Sequence, residues 1–139
     1  MRPEIDARHP IKLGDIRKVD LWTHTKQGDG GVEGLLIHSH LQDVGKLGAC
    51  LNVEDLLTIK EGGLDSFEDF FLSRIPERHL EPRGITAYGS MIATKMGEVF
   101  VPYLHLSRRG DTKRLGIDWR SLLLTFGPSL PAGIVSGEN

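Results

Sequence analysis

The residues best suited to chemistry are His38 and His40, which stand two positions apart in the segment 34–40, Gly-Leu-Leu-Ile-His-Ser-His. The segment predicts a strand. Because side chains two residues apart on a strand share a face, both imidazoles would lie side by side, about 7 Å apart. Two neutral imidazoles in that arrangement suit one metal ion such as zinc. The competing interpretation is chance, since the chain contains 6 histidines.

A catalytic zinc site needs a third protein ligand and one open position. Asp43 lies just beyond the predicted strand, and Asp55 belongs to an acidic pair further along the chain. Either carboxylate could complete a site with His38 and His40, and Glu54 could then act as the general base. This combination defines the alternative function, a small zinc-dependent hydrolase.

Two metal-dependent families share parts of this pattern. The His-Ser-His run at 38–40, followed by Glu54 and Asp55, partly resembles the JAMM/MPN metalloprotease motif, in which two histidines and an aspartate bind zinc. The chain departs from that motif at Leu41, where the family has proline. The same histidine run also resembles the first metal motif of PHP and amidohydrolase enzymes, whose barrels a chain of 139 residues is too short to close. We therefore assign neither family.

A second candidate site is a predicted basic loop, residues 108–114, which contains Arg108, Arg109, Lys113 and Arg114. Four cations this close together can bind phosphate, a nucleic acid backbone or an acidic membrane surface. The competing interpretation is an ordinary solvated loop. Every catalytic pattern in the chain is incomplete. The leading prediction is therefore a non-catalytic interaction or self-assembly module, without a cofactor, whose basic loop binds an anionic partner.

The elements that must position these side chains begin with a predicted β-hairpin. Residues 16–25 alternate between apolar and polar types, which predicts a half-buried strand, and residues 32–41 predict its partner. Their apolar faces must coincide, because a shift of one residue would expose one set. This register places His24 about 20 Å from His38, so we expect His24 to be a poor third ligand.

Two short helices are predicted to follow the hairpin. Asn52 is a favourable N-cap, Glu54 and Asp55 suit the positive helix end, and glycines 62–63 end the helix. The second helix is predicted to begin at Ser66. Its apolar face consists of three aromatic residues at helical spacing: Phe67, Phe70 and Phe71.

The C-terminal half predicts strands over 84–94 and 98–107, of which the second contains Pro102 and is expected at a sheet edge or bulge. Residues 118–126 predict a third helix, with a strand as the alternative. The predicted fold class is α+β, with two antiparallel β-hairpins, two short helices between them and a third helix near the C-terminus. The edge strand favours a homo-oligomer or a larger protein assembly.

Composition limits the remaining possibilities. With 139 residues, we expect one domain over residues 15–127, a flexible arm over 1–14 and a disordered tail over 128–139. The net charge of -2 argues against a wholly basic nucleic-acid binder but permits a local basic patch. The single cysteine, Cys50, excludes an internal disulfide. We see no signal peptide or apolar membrane-spanning run, and therefore expect a cytoplasmic protein.

Overall fold

The computed structural model describes residues 2–5, 19–24, 27, 31–74, 84–127 and 130–135. In this part of the chain, three helices follow one another mid-chain: α1 (Gly34–Asp43), α2 (Val53–Glu61) and α3 (Leu64–Arg74). Nine strands lie on either side of them: β1 (Arg2–Ile5), β2 (Val19–Trp22), β3 (Val32–Glu33), β4 (Gly84–Thr86), β5 (Ser90–Ala93), β6 (Val99–Arg109), β7 (Thr112–Ser121), β8 (Thr125–Phe126) and β9 (Ala132–Val135). The α+β class is confirmed.

The long β6–β7 pair, here called the central hairpin, organises a mixed sheet. Its strands pair antiparallel at ten positions, from Phe100 opposite Ser121 to Arg109 opposite Thr112. The other side of β6 pairs with both β5 and β4. The sheet therefore has six strands in the order β1-β5-β6-β4-β9-β2, with β7 as a seventh beside β6. A separate two-stranded sheet joins β3 to β8.

Pro102 lies in the middle of this sheet, so the predicted edge position is wrong. Proline has no N–H to donate. The Pro102 nitrogen faces residues 87–89, which separate β4 from β5. There the Ala87 N–H donates to the Pro102 carbonyl (3.0 Å), while the Ala87 carbonyl accepts from the Ser90 N–H (3.5 Å). The missing donor is therefore accommodated by dividing the single strand that we predicted over 84–94.

Gly89, which lies between β4 and β5, packs directly against the backbone that precedes α2. Its N–H donates to the Leu51 carbonyl over 2.7 Å. A Cβ atom at this position would lie 2.6 Å from the Leu51 carbonyl oxygen and 2.9 Å from that of Cys50. Since both obstacles are backbone atoms, only glycine permits this close approach.

Each face of the sheet carries its own hydrophobic core. Leu104 and Leu106 of β6 point to the face that α2 and α3 cover, whereas Val101 points to the face that α1 covers. The helices contribute apolar side chains at helical spacing: Leu56, Ile59, Phe67 and Phe70 on the first face, Ile37 and Leu41 on the second. Beyond Val101 on that side, Tyr103 and His105 are half-buried, whereas Ser107, Arg109, Thr112 and Arg114 are exposed.

The strand predicted over 32–41 is wrong beyond its first two residues, because the segment continues as α1. The buried apolar residues of α1 are Ile37 and Leu41, which are four positions apart. The start of the helix lies against the ring of Phe126, and a Cβ atom on Gly34 would be 2.6 Å from that ring. The Gly34 and Leu35 N–H groups donate to the Leu124 and Leu122 carbonyls, so the first turn of α1 is bonded to the segment before β8.

The two helices predicted after Asn52 are present. The Asn52 side chain accepts from the Asp55 N–H (2.9 Å), and the Asp55 carboxylate accepts from the Asn52 N–H (3.0 Å), so a reciprocal cap starts α2. Gly62 ends α2, as predicted. The next helix, α3, begins at Leu64, two residues before the predicted Ser66.

The third helix predicted over 118–126 is wrong. Residues up to Ser121 complete β7, residues 122–124 turn, and β8 follows. The helical spacing predicted that Trp119 and Phe126 would share one buried face. In the structure Trp119 is 38% exposed, whereas Phe126 is fully buried. Pairing with β6 holds residues 118–121 extended, and β8 pairs with β3.

Both predicted flanking segments contain strands of the sheet. Residues 132–135, expected in a disordered tail over 128–139, form β9 between β4 and β2. Residues 2–5, expected in a flexible arm over 1–14, form β1 and pair with β5. Apart from residues 130–131, the remainder of both segments lies outside the described residues. Composition did not indicate these strands because prolines, glycines and charged residues surround them, and each forms by pairing with strands distant in the sequence.

We predict that Gly89→Ala destabilises the fold, because its new methyl group would collide with two backbone carbonyl oxygens. The free energy of unfolding, measured by urea denaturation, should fall by about 1–3 kcal/mol. Gly48→Ala is the matched control, since a Cβ atom there meets nothing within 4 Å. It should change stability by about 0.5 kcal/mol or less. Equal effects of the two substitutions would contradict the close approach at Gly89.

Candidate functional site

His38 and His40 point to different sides of α1. Helix positions rotate by about 100° per residue, so side chains two positions apart diverge by about 200°. The predicted shared face is therefore wrong. His40 contacts Trp22 and His24 instead, with ring centroids 5.6 Å and 4.8 Å away. The register predicted to keep His24 distant is also wrong, because β2 pairs with β9.

The His38 side chain is half-buried, and its Nε2 atom is buried without a hydrogen-bond partner among the described residues. Burial lowers the pKa of the His38 imidazole from its ordinary value of 6.5, because a partly desolvated site disfavours the charged form. The neutral imidazole is therefore the form that the fold accommodates.

The carboxylates proposed to complete a zinc site occupy separate places. Asp55 is fully buried and caps α2, whereas Asp43 and Glu54 are exposed at the end of α1 and in the first turn of α2. Among the residues that the structure describes, no group of three or more His, Cys, Asp or Glu side chains could hold a metal ion. The zinc hydrolase stays a prediction for which this part of the chain provides no ligand set.

The predicted basic loop is instead the end of the central hairpin. Its strands continue to Arg109 and restart at Thr112, so only Gly110 and Asp111 form the turn. Alternation along the strands divides the cations between two faces. Arg108 stands opposite Lys113, whose Nζ lies 3.1 Å from a carboxylate oxygen of Glu68 on α3.

The other two cations lie on the outward side of the hairpin. Arg109 stands opposite Thr112, and Arg114 stands opposite Ser107. All four residues are exposed, and together they line a groove of about 480 Å³. We call this side of the central hairpin the open face. It comprises the side chains of Tyr103, His105, Ser107, Arg109, Thr112, Arg114 and Asp118 together with Gly116.

Two rings continue the open face toward the middle of the sheet. Tyr103 and His105 lie two residues apart on β6, with centroids separated by 5.1 Å. His105 Nε2 lies 2.7 Å from a carboxylate oxygen of Asp118. The His105 ring also covers Gly116, where a Cβ atom would be 3.5 Å from Nε2. The Asp118 contact and the glycine underneath therefore orient the imidazole.

Sequence reasoning identified the cations but did not assign the rings of Tyr103 and His105 to the same site. The signal was present, since alternation along residues 103–109 places Tyr103, His105, Ser107 and Arg109 on one side of a strand. Residues 112–121 also alternate, with Leu115 and Ile117 on the side opposite Arg114. Treating 108–114 as a loop interrupted both patterns. The open face combines exposed guanidinium groups and hydroxyls with two half-buried rings, which suits binding.

We predict that His38 makes the stability of the protein depend on pH. Because the folded state lowers its pKa, the unfolded chain binds more protons below about pH 6.5, and stability falls as pH falls. Urea denaturation of the wild type should therefore show a larger loss between about pH 7.5 and pH 5 than His38→Gln shows. Equal losses, or an NMR titration placing the His38 pKa at or above 6.5, would contradict this prediction.

Comparisons with protein-family models, with curated proteins and with solved structures found no match. In the described part of the chain, no helix has the length and apolar character needed to span a membrane. What this chain can bind is therefore inferred from the side chains of the open face.

Proposed function

We propose that this protein is a non-catalytic interaction module that binds single-stranded nucleic acid on the open face of its central hairpin. One observation carries the proposal. Arg109 and Arg114 share that face with the rings of Tyr103 and His105. Cations that contact phosphates, next to rings on which bases stack, are the two components of single-strand recognition.

The cationic part of the site is compact and accessible. Arg109 and Arg114 are diagonal neighbours across the two strands, so their backbones are about 7–8 Å apart. Guanidinium groups donate forked hydrogen bonds that match phosphate oxygens. The hydroxyls of Ser107 and Thr112 line the same groove, and hydroxyl side chains are frequent donors to phosphate.

The rings favour nucleic acid over free phosphate or an acidic lipid surface as the partner. Tyr103 and Arg109 are six residues apart on β6, which corresponds to about 20 Å along an extended strand. A ligand that uses both ends of this surface must be long and carry planar groups as well as charge. Base stacking on an aromatic side chain contributes about 1–3 kcal/mol per base and tolerates any base.

The two arginines, rather than the overall charge of the chain, determine how strongly salt should weaken binding. With a net charge of -2, attraction depends on the local pair of arginines. When the logarithm of the binding constant is plotted against the logarithm of the salt concentration, two phosphate contacts to a single strand give a slope of about -1.4. Raising salt from about 50 to 200 mM should therefore weaken binding about sevenfold.

We predict that Arg114→Ala weakens binding to a fluorescently labelled single-stranded oligonucleotide about tenfold, because a charge-assisted contact is lost. Fluorescence anisotropy at low salt measures the dissociation constant. Lys113→Ala is the matched control, since it removes the same charge from the adjacent residue, whose ammonium pairs with Glu68 on the opposite face. It should change affinity less than about twofold. Equal effects of both substitutions would indicate a non-specific charge effect and contradict the proposed site.

We further predict that Tyr103→Leu weakens oligonucleotide binding about fivefold or more while leaving the salt slope unchanged. The substitution keeps apolar bulk but removes the ring, so it affects stacking and leaves the phosphate contacts intact. Anisotropy titrations at several salt concentrations separate the two effects. An affinity equal to that of the wild type would remove stacking from the proposal. Binding to acidic vesicles in the absence of oligonucleotide binding would overturn the choice of nucleic acid.

A further inference from the structure

We infer that β7 pairs antiparallel with β7 of a second copy of this chain, around a two-fold axis at Gly116, and that two sheets thereby become one. This self-association surface is the backbone edge of β7, flanked on the open face by Arg114 and Asp118, and Arg114 is also one of the proposed nucleic-acid contacts. The pairing follows from the free backbone edge and the charges beside it, neither of which requires bound nucleic acid.

The free edge of β7 is long and regular. One side of the strand pairs with β6 at ten positions, and among the described residues no strand pairs with the other side. The Leu122 N–H donates to the Val99 carbonyl, and this sets which residues of β7 bond to β6. By alternation, the N–H and C=O groups that point away from β6 belong to four residues: Lys113, Leu115, Ile117 and Trp119.

The free edge has a defined centre. Beyond Trp119 the backbone is engaged locally, because the Ser121 carbonyl accepts from the Leu124 N–H and the Leu122 carbonyl accepts from the Leu35 N–H. The usable edge therefore runs over residues 113–119, and its midpoint is Gly116. Exposed edges of this length are templates for another strand. Maximum overlap of two copies places Gly116 opposite itself, where two strands approach closely and no side chain obstructs them.

Charge selects the same register. With Gly116 on the axis, Arg114 of each copy lies directly opposite Asp118 of the other, which creates two attractive pairs. Arg114 is exposed, and the Asp118 side chain is 64% exposed, so its carboxylate can accept further hydrogen bonds beside that from His105. Moving the axis to Ile117 would place Arg114 opposite Arg120 of the other copy. Moving it to Leu115 would place Arg114 opposite Gly116.

The apolar side of the strand is also self-complementary. Around the same axis, Leu115 lies opposite Ile117 of the second copy, on the face that α2 and α3 cover. Trp119, which is 38% exposed, lies opposite Lys113 of that copy. An aliphatic pair and a cation beside an indole ring are both favourable cross-strand neighbours.

Pairing in this register would double the open face. Cross-strand neighbours share a face, so both copies of Arg109 and Arg114 would lie on one side of a continuous sheet. The two Arg114 side chains would be about 13 Å apart along the strand direction, which corresponds to four residues.

The test exchanges the charges at the proposed axis and measures mass in solution by sedimentation at several protein concentrations, without nucleic acid. The wild type should be a dimer that dissociates on dilution. Arg114→Asp and Asp118→Arg, each alone, place like charges at both symmetric contacts and should raise the dimer dissociation constant about tenfold or more. An equimolar mixture of the two variants should restore the dimer, because every introduced charge then faces its opposite.

Two controls keep the outcome interpretable. Arg109→Asp makes the same charge change on the open face but on β6, and it should leave the dimer within about twofold of the wild type. Trp119→Pro removes an outward N–H that β6 does not use, so it should weaken the dimer more than Trp119→Ala does. Circular dichroism establishes that each variant is folded. A wild type that is monomeric at every concentration, or a mixture that stays monomeric, would overturn the inference.

Discussion

The continuous backbone pairing of β6 with β7 is the constraint on which the rest of the structure depends. The β7 strand covers one side of β6 at ten consecutive positions, which leaves the other side to receive both β4 and β5. Through these two strands the remaining members of the sheet are attached. Pro102 stands where the two attachments meet, and its missing N–H coincides with the interruption at residues 87–89. The interruption between β4 and β5 therefore lies at one proline and one close-fitting glycine.

The same pairing separates residues that are adjacent in sequence. Lys113 and Arg114 are neighbours in the chain, yet one pairs with Glu68 against α3 and the other faces solvent beside Ser107. The alternation of a strand therefore divides a basic cluster into a structural half and an accessible half. It also brings together Tyr103, His105 and the accessible arginines, so that a surface with two kinds of contact arises from one hairpin.

Local signals predicted the parts of this fold that local interactions determine. The cap at Asn52 and the glycine end of α2 were predicted from the sequence, because each depends on a few adjacent residues. Helix α1 was not predicted, since Leu35 and Ile37 alternate like a strand, whereas the structure buries Ile37 and Leu41 on one face of a helix. The basic cluster indicated anion binding, which stays a prediction. To predict that the basic cluster divides between two faces, residues 108–114 would have had to be assigned to strands.

Insertion of β9 between β4 and β2 has a consequence for the order of folding. The β2 strand near residue 20 pairs only with β9 in the described sheet, and β9 ends at Val135. During synthesis, the partner of β2 therefore leaves the ribosome more than a hundred residues later, after the central hairpin can already have closed. Contacts between such distant segments form late because closing a long loop is entropically unfavourable. Until then, the apolar side of Val19 and Leu21 has no finished sheet to join, and exposed apolar surface of this kind makes folding intermediates prone to aggregation.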